Sequence, residues 1–182
     1  MALHPGAHEL GPPSATLRLR TYRQGIAAKA GHDLVLEAAG WRGTLVVPED
    51  RGAAPSLTVE VDLRSLRVVA GTGGVKPLTD GDKEEIRRVM QKPLRTADHP
   101  TATFRSTEVR VDGDRAEIAG ELSLAGQSHP AELRAHRARD GSVVGQGTIV
   151  QSAWGIKPYT GLLGALKLRD AVDVEVVVPL PG

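Results

Sequence analysis

The sequence contains no cysteine. Thiol nucleophiles, cysteine-ligated zinc, iron–sulfur clusters and disulfides are thereby excluded, while the redox compartment stays open. Aromatic residues are almost as scarce: Trp41, Trp154, Tyr22, Tyr159 and Phe104 are all there are. No row of rings exists on which nucleic-acid bases could stack. Neither sign of charge is in excess, since 23 Lys and Arg stand against 22 Asp and Glu, for a net charge of +1. Binding along a phosphate backbone needs concentrated Lys and Arg, so nucleic acid is not the expected partner. No run approaches the about eighteen consecutive apolar residues of a membrane helix. The opening residues, MALHPGAHELGPPS, show no basic region followed by an apolar stretch, so a secretory leader is not expected. A soluble, cytoplasmic protein without a membrane span is the resulting expectation.

What the sequence does have is alternation. Its 182 residues suit one domain with a real core, and we place that domain at 15–182, after a loose N-terminal tail over 1–14 rich in Pro and Gly. Leu17 and Leu19 alternate with Thr16, Arg18 and Arg20. Leu57, Val59, Val61 and Leu63 alternate with Thr58, Glu60 and Asp62, and the rhythm returns over 117–124 and at Val172, Val174, Val176 and Val178. Period two marks half-buried strands. Further strands are expected over 34–38, 41–47, 102–111, 131–137 and 143–150. Asp112-Gly113-Asp114, Ala125-Gly126 and Asp140-Gly141 supply tight turns between them. Short strands at hairpin spacing give an all-β fold, an antiparallel sheet closed into a barrel or folded into a sandwich.

One segment breaks the rhythm. Asp82 to Met90 carries Ile86, Val89 and Met90 at helical spacing, with acids first and arginines later, as the helix dipole favours. Thr79 or Asp80 can cap this short amphipathic helix and Pro93 stops it.

Motifs for chemistry are missing. Gly71-Thr72-Gly73-Gly74-Val75-Lys76 lacks the spacing of a phosphate loop and reads as a flexible loop able to gate a cavity mouth. There is no HExxH and no nucleophile elbow. His129 and His136, seven apart, point to opposite faces of one strand, and His4 and His8 sit in the tail. No metal, no cofactor and no catalytic residue is expected. Apolar inward positions without a catalytic signature suit an apolar ligand.

Three segments resemble the YceI-like family, whose founding members are polyisoprenoid-binding proteins of bacteria. Asp98-His99-Pro100-Thr101-Ala102-Thr103-Phe104-Arg105-Ser106 is similar to a family segment of proline, small positions, phenylalanine and serine. Gly120 to Pro130 resembles its hairpin, and Trp154-Gly155-Ile156 with the strand after Asp170 resembles its closing region. The resemblance implies an eight-stranded antiparallel, lipocalin-like β-barrel holding an isoprenoid or similar lipid, in a protein that is often a homodimer. Ala27 to Leu34 looks like a branch of the family typical of high-GC bacteria.

On this reading Leu36, Trp41, Leu45, Phe104, Leu122, Ile149, Trp154 and Tyr159 wall the ligand cavity. Lys29, His32, Lys76 and Lys157 meet a phosphate or carboxylate head group at its rim. The alternative is an isomerase- or cyclase-like enzyme using the barrel as a chamber, with two of the candidates His32, Asp33, Lys157 and Tyr159 converging in one pocket.

Overall fold

The computed structural model describes residues 4–50 and 52–179. The ends of the expected tail and of the expected domain, 1–3 and 180–182, lie outside the described residues. In chain order the strands are β1 (Gly6–Leu10), β2 (Thr16–Thr21), β3 (Arg23–Gln24), β4 (His32–Ala38), β5 (Trp41–Val47), β6 (Ser56–Asp62) and β7 (Leu66–Gly73). After helix α1 (Asp80–Met90) come β8 (Thr101–Asp112), β9 (Arg115–Leu124), β10 (Gln127–Arg137), β11 (Val143–Val150), β12 (Thr160–Gly161), β13 (Leu166–Leu168) and β14 (Ala171–Val178).

Eleven of these strands form one sheet in the order β1-β5-β6-β8-β9-β10-β11-β14-β2-β4-β7, and β12-β13-β3 form a small second sheet. The chain itself joins the two ends of the large sheet. β4 and β5 are one extended run bent at Ala39 and Gly40, and β6 and β7 another bent at Leu63–Ser65. Pairing persists across the bend, where Asp62 N–H donates to Gly40 O at 2.9 Å and Ala39 N–H to Ser65 O at 3.3 Å. β1 and β2 flank a third bend and pair with β5 and β4. When each bent run counts once, eight antiparallel strands close into a ring, completed by β14 against β2. The expected all-β barrel with one helix is the fold. The strand count exceeds the expected eight because bends divide three of the runs without separating their partners and because β3, β12 and β13 form a sheet of their own.

Side chains alternate as the sequence indicated. Arg18, Glu37, Glu60, Glu121 and Glu175 stand on one face of their strands, while Leu17, Leu36, Leu57, Phe104, Leu122 and Val172 are buried on the other. The β9–β10 hairpin turns through Ala125 (φ 52°) and Gly126 (φ 82°), the doubly left-handed geometry of a two-residue turn matched to sheet twist.

Helix α1 starts two residues before the expected stretch. Thr79 accepts from the Asp82 N–H while the Asp82 carboxylate accepts from the Thr79 N–H, a complete capping box. Ile86 and Met90 pack on Leu34, Leu36 and Val68. Val89 does not join them and is exposed.

Two further expectations change. Gly6–Leu10 of the expected loose tail is a strand whose five residues all pair with β5, and Leu10 packs on the core. The glycines at 71 and 73 belong to β7, paired with Leu34 and His32, since an added side chain at 71 would meet the Leu78 that lies over it. The segment after them is tied down rather than free: the His32 ring Nε2 lies 2.8 Å from Lys76 O.

Candidate ligand lumen and its mouth

Residues paired across a sheet share a face, so the registers trace the barrel lining. One row runs Val109, Ile118, Leu133, Gly147, Val174, Leu19, Leu36 and Val68, from β8 around to β7. Every member is apolar or glycine. A second row links Gly43, Val59, Phe104, Leu122 and His129. The glycines admit their neighbours: a Cβ at Gly147 would meet Leu133 at 2.6 Å, and at Gly120, on the same face of β9 as Leu122, the Phe104 ring lies 2.5 Å from where a Cβ would stand.

The lining is not packed like an ordinary core. Leu19, Leu45, Val59, Ile118, Leu133, Ile149, Val174 and Val176 are only half-buried although they pack on the core cluster. No large side chain among the described residues is fully buried. Close-packed interiors bury such residues completely, and these inward side chains do not reach that density. Two buried polar atoms on the inward face, Thr21 Oγ1 and Trp41 Nε1, have no hydrogen-bond partner. An oxygen-bearing guest could satisfy the indole N–H, whose isolation otherwise costs about 1–3 kcal/mol.

The antiparallel order gathers the ends of β2, β7, β9 and β11 with the starts of β4, β8, β10 and β14 at one end of the barrel. Helix α1 and the segments 22–31 and 151–170 cover that end. Trp154 is its anchor: buried, it donates from Nε1 to Leu122 O at 2.9 Å and meets the His129 ring edge-on with centroids 5.5 Å apart. His129, weighed from the sequence only for a site shared with His136, is therefore a lining residue. Counting alternation back from the Gly126 turn places it beside Leu122 and would have found it.

Of the expected wall, Leu36, Trp41, Phe104, Leu122 and Trp154 are buried, and Leu45 and Ile149 are half-buried lining residues. Tyr159 is not part of the wall. It is half-exposed, because residues 157–160 run over the barrel end and its hydroxyl leans across Gly161. The Trp154 N–H is spent inside the protein, on Leu122 O.

Of the expected cations, His32 and Lys76 come together in an open groove of about 430 Å³ between the 74–79 segment and α1. Asp82 and Glu85 line the same groove, and the Thr79 hydroxyl and backbone N–H hold the Asp82 carboxyl below its ordinary value. The groove is thus mixed in charge rather than an anion cradle. Lys29 and Lys157 are exposed on other segments. His32 and Asp33 do not converge: as neighbours on β4 they face opposite ways, and Asp33 accepts from the Arg23 N–H at 2.8 Å. The convergence that an enzyme reading needs is not made by this pair. No group of three or more metal-ligating side chains occurs among the described residues, and no helix there is long and apolar enough to cross a membrane.

The YceI-like domain family matches residues 23–180. The protein YceI of Escherichia coli O157:H7 is 42% identical over 101 residues, covering 49% of this chain and 48% of its own length. A UPF0312 protein of Pectobacterium atrosepticum is 34% identical over 100 residues, covering 49% of this chain and 47% of its own. The chain spans about half the length of these relatives. Among solved structures, BcnA of Burkholderia cenocepacia matches with a TM-score of 0.65 over 90% of this chain and 94% of that one, at 15% identity, a likeness of fold. These similar proteins are proteobacterial, so a placement within a high-GC branch gains no support from them.

Proposed function

We propose, from the premise that this chain belongs to the YceI-like family, that it carries or sequesters an apolar chain molecule, an isoprenoid or another lipid, inside the barrel. The observation that carries this reading is the apolar inward row that crosses eight strands and leaves five of its eight members only half-buried. Each buried methylene contributes about 0.8 kcal/mol, so a chain of about fifteen carbons offers roughly 12 kcal/mol. After ordering costs of about 4 kcal/mol, micromolar affinity follows without any catalytic group. The Trp41 N–H and the Thr21 hydroxyl favour a guest with an oxygen along or at the end of its chain. On this reading the protein works in the cytoplasm, singly or as a homodimer, and needs no cofactor.

Native mass spectrometry and solvent extraction of protein purified from its own host provide the test. An extractable chain lipid released in stoichiometric amount is expected. Empty protein that also fails to retain added farnesol or palmitate would remove the carrier reading.

A further inference from the structure

Outside the lumen, the covered end of the barrel carries apolar side chains that nothing in the fold uses. Ile26 is 95% exposed, Leu162 59% and Leu163 fully. They sit on two adjoining segments, held together where Ala27 N–H donates to Ala165 O at 3.0 Å, and Ile26 and Leu163 line one open groove. Leu162 and Leu163 are both left-handed, at φ 49° and 54°, a conformation disfavoured for a branched side chain. Two strained leucines turned to water gain nothing for stability, and strain of this kind points to a use.

The charge around them is one-sided. Residues 22–31 and 151–170 contain five Lys and Arg and a single acid, Asp170, whose carboxylate is taken up by Ser152. Arg23 is engaged by Asp33 and Arg169 lies over the Tyr22 ring, which leaves Lys29, Lys157 and Lys167 as exposed cations on the same two segments, Lys167 in the groove itself. A second copy of the chain is a poor occupant, because a two-fold contact through this face would set cation against cation. Apolar tips ringed by lysine instead match the surface of an anionic bilayer, with hydrocarbon below and phosphate at the level of the ammonium groups.

We propose that this rim is a peripheral membrane-docking tip: Ile26, Leu162 and Leu163 enter the acyl boundary of an anionic lipid surface while Lys29, Lys157 and Lys167 meet its phosphates. The inference goes beyond the carrier reading and stands on separate residues. The two join in one respect, since docking turns the covered end of the barrel toward the lipid from which a guest would come.

Co-sedimentation of the full chain with vesicles tests it. Wild-type protein is expected to pellet with phosphatidylcholine vesicles containing one-third phosphatidylglycerol, and far less with phosphatidylcholine alone or in high salt. The double variant I26D/L163D loses roughly tenfold or more of that binding, and K29E/K167E loses the preference for anionic vesicles. Circular dichroism melts confirm that both variants fold, as expected for exposed positions. Wild-type protein that ignores anionic vesicles, or variants that bind as well as wild type, would overturn the proposal. So would an I26D/L163D variant that dissociates a dimer with no change in vesicle binding, which makes the face a self-interface. Lipid extracted from the same preparations reports on the lumen separately, so either reading can fail without the other.

Discussion

The Trp154 indole donates to the Leu122 carbonyl at 2.9 Å inside the protein. One side chain thereby fastens the 151–170 segment, which covers the end of the barrel, to the wall itself. Trp154→Phe keeps most of the ring but removes this bond, and thermal melts are expected to show a loss of about 1 kcal/mol. Trp154→Ala also empties the space beside His129 and costs about 3–5 kcal/mol.

Gly120 is where the lining has no slack. A methyl group there would lie 2.5 Å from the Phe104 ring and also run into Arg105 O. Gly120→Ala is expected to cost about 1–3 kcal/mol in urea unfolding. Adding Phe104→Leu relieves only the ring clash, so the double variant recovers part of the loss; full recovery would show that the backbone contact carries no penalty.

On the outer face Glu37 bridges three strands, with Arg18 at 3.0 Å and Arg67 at 3.1 Å. Hydrogen bonds from Arg67 and then Arg18 hold its carboxyl below the ordinary 4.5, against desolvation. The folded protein therefore binds this proton less readily than the unfolded chain. The resulting stability is present above about pH 4.5 and is lost as pH falls through the depressed folded value. Glu37→Gln is expected to cost about 1 kcal/mol or less at neutral pH. It also flattens the acid limb of the stability curve measured between neutrality and pH 3.

The capping box sets how firmly α1 rests on the barrel. Thr79→Ala removes the hydroxyl that accepts from Asp82 N–H at 3.1 Å and costs about 1 kcal/mol. Hydrogen exchange should quicken over 80–90 while β8 to β10 stay protected, because the helix touches the barrel through few side chains. Uniform quickening would mean that helix and barrel open as one unit.

The lumen itself can be narrowed. Val174 stands opposite Gly147 and Leu19 on the inward row, and Val174→Phe fills space there. Extractable lipid is expected to fall about tenfold or more for a loss of about 1–3 kcal/mol in stability. Unchanged lipid content would place any guest elsewhere.

Most strands were legible because period two is written plainly in runs such as Leu57 to Leu63 and Val172 to Val178. β5 and β11 occupy the expected residues to both ends. β7 was hidden because Gly71 and Gly73 have turn chemistry, and only the neighbouring Leu34 and Leu78 make them strand residues. β1 was hidden by the prolines around it, which say nothing of the partner it finds in β5. The bends at 39–40 and 63–65 made single long strands look like separate ones. At the candidate site, aliphatic positions followed from alternation alone. The fates of Tyr159, Lys29 and Lys157 depended on where irregular segments travel once they leave the sheet, and no local pattern encodes that.

Ring closure has a consequence in time. β14 completes the barrel by pairing with β2, a match such as Glu175 with Arg18 that spans nearly the whole chain. Contacts so distant in sequence form late. During synthesis β2 leaves the ribosome long before β14, and until then its inward leucines are sheltered only by provisional neighbours. No enclosed space exists before the last strand docks. A guest must therefore enter a finished barrel through an end, or be present as the final strand closes over it; pulse-labelled refolding with and without lipid would separate the two histories.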